Sequence, residues 1–347
     1  MPTPLSEIEL RFCAETGVNV DLAAGARIDN ALIFRSDPAS IAGDGFSAEE
    51  KILDQIQSIE ISTKERFGNY VIKLSNAFGL AKALNIPHVI HPGFEFMPDE
   101  CEINGIQFST QPSPQRRRLI SPCYYHRTLQ ALTNGPVVKA KAIGALAAAF
   151  SLKRPEWIDQ PDGHLFIHIR SGDIFSAALP HPYYAQPPLA FYQYVLVLRK
   201  WEKATLVYEN ANNPVIEKLR AYLKEIEVPY TEQCGTLQED LETLLKARHL
   251  VIARGTFAFP VIVMSRRLEQ VYCFDNYHRD SYEKALWEQD IEGVKFEKVV
   301  DRDHIYRDRV LDKWENSAEQ HRLMIEYPVT SLGTEDEAIK AINLPAA

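Results

Sequence analysis

Cysteine is scarce. The five in 347 residues (Cys13, Cys101, Cys123, Cys234 and Cys273) stand apart, with no C-x-x-C pair and no regular spacing. That excludes a disulfide-built scaffold and a cysteine zinc cluster, and reads as free thiols in a reducing compartment. Long apolar runs are missing too. None approaches the ~20 residues of a membrane span. The opening Met1-Pro2-Thr3-Pro4-Leu5-Ser6-Glu7 has neither the basic nor the apolar region of a secretory leader. The expectation is a cytoplasmic protein with no transmembrane segment. Positive charge is in deficit, with 38 Lys and Arg against 47 Asp and Glu and a net charge of −9. This argues against a nucleic-acid partner held by bulk electrostatics; the one dense basic run, Arg116-Arg117-Arg118, reads as a local solvated patch. No G-x-G-x-x-G follows a strand pattern and no Walker A run occurs, so neither dinucleotide nor P-loop chemistry is supported.

What remains is an ordinary globular composition, 46% hydrophobic and 24% charged, in a chain longer than one core usually fills, so two domains are expected. The most informative stretch is His164-Leu165-Phe166-Ile167-His168-Ile169-Arg170-Ser171-Gly172-Asp173. Leu165, Ile167 and Ile169 alternate with Phe166, His168 and Arg170, the period of a strand, and Ser171-Gly172-Asp173 is a turn cluster. Arg170 therefore sits where a strand ends and a loop begins, the edge at which open α/β sheets bind ligands. The same spacing also suits a structural Arg170–Asp173 ion pair.

Upstream, 31–34 and 58–62 read as strands and 48–56 as a short helix. Across 70–84, Val71, Leu74, Phe78 and Ala81 recur at helical spacing, and 87–91 reads as the next strand. The loop before that helix carries Arg66, Gly68 and Asn69 at a helix N-terminus, where unpaired N–H groups favour anions. A capping role alone also accounts for Asn69. Residues 92–136 read as loops with short strands, 137–152 as a helix and 153–163 as a linker. Strands at 204–209, 228–230, 249–253 and 271–274 then alternate with helices that start after Asn213-Pro214, at the capping box Thr236-Leu237-Gln238-Glu239, and over 258–266. This indicates an α/β protein whose parallel sheet is covered on both faces and closes with 271–274. Residues 311–325 read as a last amphipathic helix. Asp301-Arg302-Asp303 is expected to be a solvated loop beyond the sheet, and no metal is assigned.

Three stretches share an ordered pattern with a known group. His168-Ile169-Arg170-Ser171-Gly172-Asp173 resembles the H-x-R-x-G-D signature of the fucosyltransferase superfamily, which spans protein O-fucosyltransferases and α-1,2- and α-1,6-fucosyltransferases. Arg66-Phe67-Gly68-Asn69 resembles its R-x-G-N segment, and Asp240 with Arg254-Gly255-Thr256-Phe257 is similar to its later acidic and hydroxyl-Phe motif. The resemblance covers roughly residues 58 to 275. It implies the GT-B architecture of two facing Rossmann-like domains with parallel sheets: an acceptor-side domain at 1–160, a nucleotide-sugar domain at 161–310, and a C-terminal helix and tail at 311–347. It further implies a metal-independent transferase that moves a sugar, fucose first, from a GDP-sugar to a glycan or peptide acceptor with inversion. The GDP-sugar is a co-substrate and no cofactor is expected. By the same resemblance Arg170 stabilises the leaving diphosphate, with Arg66 and Asn69 as the other catalytic groups. His168, Gly172, Asp173, Asp240, Arg254, Gly255, Thr256 and Phe257 bind the donor.

A planar, permanently charged guanidinium suits a departing diphosphate. The chain departs from the pattern at Ser171, where a second arginine is common, at Arg254, and in lacking a glutamate over 174–178; these leave the base and the exact sugar open. His181-Pro182-Tyr183-Tyr184-Ala185-Gln186-Pro187-Pro188 reads either as a floor for the donor pocket or as a surface loop. The alternatives are a transferase for another nucleotide sugar, or a carbohydrate- or nucleotide-binding protein without catalysis.

Overall fold

A computed structural model describes residues 3–4, 19–20, 26–27, 31–35, 57–61, 66–83, 85–111, 118–121, 139–152, 161–176, 184–274, 293–311 and 313–334. The chain divides into two compact units, Met1–Leu152 and Lys153–Ala347. The expected helix at 48–56, most of the expected linker and residues 181–183 lie outside the described residues. Among the described residues, no helix is long and apolar enough to cross a membrane, and Cys101, Cys234 and Cys273 form no disulfide.

The first unit contains strands β1 (Thr3–Pro4), β2 (Asn19–Val20), β3 (Ala26–Arg27), β4 (Ala31–Arg35), β5 (Ser58–Ile61), β6 (His88–Ile90), β7 (Glu100–Ile103), β8 (Ile106–Ser109) and β9 (Arg118–Ser121). Its main sheet runs β2-β4-β9-β5-β6-β8-β7. The five inner strands are parallel, and β2 and β7 close the edges antiparallel. Helix α1 (Phe67–Ala83) begins three residues earlier than its apolar stripe predicts. The Tyr70 N–H donates to the Arg66 carbonyl at 2.9 Å, so Arg66 stands at the helix start and Asn69 lies inside the first turn rather than capping it. Val71, Leu74, Ala77, Phe78 and Ala81 are buried as the stripe requires, and so are Ile72, Ser75 and Asn76. Helix α2 (Lys139–Ala147) packs against α1 and covers part of that wider buried face.

In the second unit come β10 (His164–Ile169), α3 (Asp173–Ser176), α4 (Leu189–Val197), β11 (Lys203–Tyr208), α5 (Val215–Glu225), β12 (Tyr230–Gln233), α6 (Leu237–Leu244), β13 (His249–Val251), α7 (Ala258–Met264), β14 (Gln270–Phe274), β15 (Lys295–Asp301), α8 (Ala318–Glu326) and β16 (Leu332–Thr334). The sheet runs β12-β11-β10-β13-β14-β15-β16, with every pair parallel except the last. Counted from β10, the six parallel strands stand in the order 3-2-1-4-5-6, the doubly wound arrangement. From β10 the chain steps outward to β11 and β12, then returns across β10 to β13. Right-handed crossovers therefore put α4 and α5 on one face and α6 and α7 on the other. All six residues of β10 are buried, as a strand covered on both faces should be. Leu165, Ile167 and Ile169 share a core cluster with Leu189, Ala190, Val195, Leu219 and Leu223 of α4 and α5.

Two expectations fail at the C-terminal side. The sheet does not close with 271–274: β15 and β16 extend it, and Asp301 is the last residue of β15, wholly buried, rather than part of a solvated loop. Its carboxylate accepts the Tyr327 hydroxyl and the Arg307 N–H (3.1 Å), which satisfies a charge that burial would otherwise make costly. The described part of the C-terminal stretch, 313–334, packs into the unit. Trp314, Met324, Tyr327 and Leu332 join the same core cluster as β10. The expected helix over 311–325 is in fact two pieces, a π-helical turn Arg307–Leu311 and α8, whose start is set by a capping box of Ser317 and Gln320.

Candidate functional site

The carboxyl edge of the second sheet is where strand order reverses, between β10 and β13, and the loops that follow these two strands meet there. Arg170 follows β10 directly. Ile169 pairs with Tyr208, so the chain leaves β10 and β11 at the same level. The Arg170 guanidinium lies over the Tyr184 ring, 4.5 Å from its centroid, and 3.9 Å from Asp173. A contact of that length to a carboxylate whose side chain is 45% exposed is not the bidentate fork by which arginine grips an anion. It contributes little, as exposed pairs do. A structural ion pair is therefore a poor account of why an arginine stands there.

Two glycines let the loops approach. Gly255 follows β13 with φ +128°, and a Cβ there would stand 2.5 Å from Arg170 Nη1. Gly172 has φ +73°, and a Cβ there would strike the Glu209 carboxylate. The arginine thus rests against the β13 loop and Glu209 against the β10 loop, with no side chain between them.

The Arg170 loop is pinned from the β11–α5 connection. Asn210 Oδ1 accepts from Ser171 Oγ (2.7 Å) and the Gly172 N–H (3.2 Å). Asn213, 1% exposed, donates from Nδ2 to the Arg170 carbonyl (2.9 Å) and accepts the Val215 N–H at the start of α5 (3.0 Å). A second clasp joins the Tyr184 segment to the β13 loop. The wholly buried Gln186 accepts the Arg254 N–H and donates to the Arg254 carbonyl, both at 3.2 Å. So Tyr184 lies against the Arg170 guanidinium, and Gln186, two residues on, ties its segment to the β13 loop.

The other expected residues fall as follows. His168 points to the opposite face of the sheet from Ile167 and Ile169 and packs against the Phe257 ring at 4.7 Å. Burial first, then the Arg170 charge, lowers its pKa to about 3, which favours the neutral imidazole, and its Nδ1 has no hydrogen-bond partner among the described residues. Asp240, buried in the first turn of α6, accepts on Oδ1 from Gln233 Nε2 (3.2 Å) and the Gly235 N–H (3.3 Å). Burial chiefly raises its pKa. Thr256 and Phe257 stand half-buried at the start of α7. Arg254 turns inward: it is 5% exposed and donates from Nη1 to the Leu311 carbonyl at 3.0 Å. Its side chain ties the core to the C-terminal segment, leaving the edge to Arg170. Arg66 is exposed and Asn69 half-buried at the carboxyl edge of the first unit's own sheet.

Sequence reasoning gave no site role to Glu209, Asn210 and Asn213, although they end or follow the recognised strand 204–209, so their place at its carboxyl end was a readable signal; Gln186 was named only as part of the 181–188 segment.

A cation could be imagined on Asp162, His249 and Glu269, whose ligand atoms lie within 4.8 Å of one another. They sit at the amino ends of the strands, away from the edge just described. Arg199 already binds Asp162 (2.6 Å), and Arg248 binds Glu269 (2.7 Å). The His249 hydrogen bond, then that of Arg199, holds the Asp162 carboxyl down to about 2. With two guanidiniums on these carboxylates, the set fits an ion-pair network better than a metal.

Fold and site together define a parallel α/β protein with a glycine-lined arginine at the switch point of its second sheet. Compared with family models, with curated proteins and with solved structures, the chain matches none of them.

Proposed function

We propose that this protein is a glycosyltransferase that takes a sugar, fucose first, from a GDP-sugar and delivers it with inversion to a hydroxyl of a glycan or peptide acceptor. The observation that carries the reading is Arg170: a guanidinium at the end of the first strand of a 3-2-1-4-5-6 sheet, seated against Gly255 of the fourth strand's loop. Diphosphates lie at that crevice in sheets of this order. As the bond from the sugar's anomeric carbon to the diphosphate breaks, negative charge grows on the outer phosphate and positive charge on the sugar. A fixed guanidinium stabilises the first without reorganising. The GT-B reading of the two units belongs to the same proposal, with Arg66 and Asn69 as the groups for the sugar and the acceptor, and no metal is called on.

Calorimetry of GDP beside turnover on a panel of GDP- and UDP-sugars tests it. Arg170→Ala is expected to stay folded and lose ~10²–10³ in kcat. Arg170→Lys should recover little, because a point charge does not reproduce the fork; near-wild-type turnover in that variant overturns the reading. Arg66→Ala should lower kcat while GDP binds almost as before, since its contacts belong to the transition state; full activity removes it from the site. GDP binding with no sugar released from any donor leaves a nucleotide-binding protein without catalysis.

A further inference from the structure

Glu209 is the first residue after β11 and is exposed, one strand away from Arg170 on the same edge. The register Ile169↔Tyr208 brings the two residues off the sheet side by side, with backbones about 4.8 Å apart, the spacing of neighbouring strands. Their charged heads then diverge. Arg170 leans toward Gly255, beyond β10, while the Glu209 carboxylate lies over the Cα of Gly172. A backbone held open by a glycine with φ +73° is what lets a carboxylate lie flat on this loop. Asn210, next in sequence, fixes the same loop through Ser171 and Gly172, so the backbone that carries Glu209 is tied by hydrogen bonds to the loop that carries Arg170.

A carboxylate at this edge repels phosphate but accepts well from vicinal hydroxyls. Arg170 on one side and Glu209 on the other therefore give the edge a polarity: phosphates toward the β13 loop, hydroxyl-bearing sugar toward β11. The electrostatics beyond Glu209 keep that sense, because its charge is among the causes, after burial, that raise the Asp240 pKa. Two acidic groups on the β11–β12 side disfavour a phosphate there.

We propose that Glu209 is the ribose-binding residue of this site, accepting hydrogen bonds from both ribose hydroxyls of a nucleoside diphosphate whose phosphates lie on Arg170. In doubly wound sheets an acidic residue some way beyond the first turn can serve a ribose in this manner. The inference rests on the nucleotide reading above. It goes further by assigning a residue that the motif resemblance does not touch, and by giving the ligand a direction along the edge.

The test is calorimetry of GDP, of the GDP analogue lacking both ribose hydroxyls, and of inorganic pyrophosphate, on the wild-type chain and on Glu209→Gln. Glu209→Gln keeps the size and removes the charge of an exposed residue, and its melting temperature is measured alongside so that the binding loss is read on folded protein. GDP should bind roughly ten- to a hundredfold more weakly to the variant, the range for a charge-assisted hydrogen bond. The analogue should bind wild type and variant equally, and pyrophosphate should bind the variant at least as well as wild type. If GDP binds wild type and variant alike, the assignment is overturned while the nucleotide reading stands. If the variant loses the analogue as much as GDP, Glu209 faces the base and the ribose assignment is overturned. If neither GDP nor pyrophosphate binds the wild-type chain, the nucleotide reading itself falls and takes this assignment with it.

Discussion

Replacing Gly255 with alanine perturbs the site without removing any charged group. The residue has φ +128°, where an L side chain is strained, and the added Cβ would stand 2.5 Å from Arg170 Nη1. The backbone strain costs about 1–3 kcal/mol. For a unit the size of Lys153–Ala347, each kcal/mol lowers the melting temperature by ~2–4 °C, so a fall of roughly 2–12 °C is expected. The contact is relieved more easily than the strain, because Nη1 is the tip of a flexible side chain. A retreat of about 1 Å restores ordinary separation, but it moves the guanidinium out of its seat between Tyr184 and the β13 loop. Losing hydrogen bonds to a charged group costs ~1.5–3 kcal/mol, or about 10- to 150-fold in the Kd for GDP.

Calorimetry on Gly255→Ala measures the loss, and the same change in an Arg170→Ala background isolates its cause. If the effect travels through Arg170, the second background shows almost no further loss of GDP affinity. Wild-type GDP affinity in Gly255→Ala, or an undiminished loss without the arginine, refutes the reasoning.

Two further outcomes concern stability. Gln186→Leu keeps the volume but leaves the buried Arg254 N–H and carbonyl without their clasp. It should cost ~1–3 kcal/mol, seen as a lower urea midpoint at unchanged slope, with weaker GDP binding as Tyr184 loosens; an unchanged midpoint counts against the clasp. His168 is held neutral, with its pKa lowered to about 3, so below the ordinary value of 6.5 the unfolded chain takes a proton that the native one refuses. Stability from this residue is full above pH 6.5 and is lost as pH falls toward 3. Going from pH 6.5 to 5.5 should cost roughly 1 kcal/mol more in wild type than in His168→Phe. Equal losses in the two proteins would show that His168 does not titrate this way.

Local pattern was enough for much of this protein. Alternation in 164–170 made β10 a strand and left Arg170 at its end, and Thr236 with Glu239 announced α6, whose capping box is present. Both are readable because neighbours in sequence carry them: a period reports which faces are covered, and a cap needs only three residues. The same local logic failed where tertiary contacts outweighed it. Asp301-Arg302-Asp303 reads as a solvated loop beyond the sheet, yet pairing of 295–301 with β14 and β16 makes that stretch a strand and buries Asp301.

Strand order was likewise outside the sequence's reach, because periodicity does not name a strand's neighbours. Only the return across β10 to β13 brought Gly255 against Arg170. Two arginines that look alike in the sequence were told apart by burial: Arg254 was drawn inward by a carbonyl 57 residues away, while Arg170 was left at the edge on Tyr184. The sequence by itself determined the α/β class and the strand end that carries the arginine. Tertiary structure decided which arginine faces the crevice, and what holds it, through hydrogen bonds whose partners lie 38 to 68 residues apart.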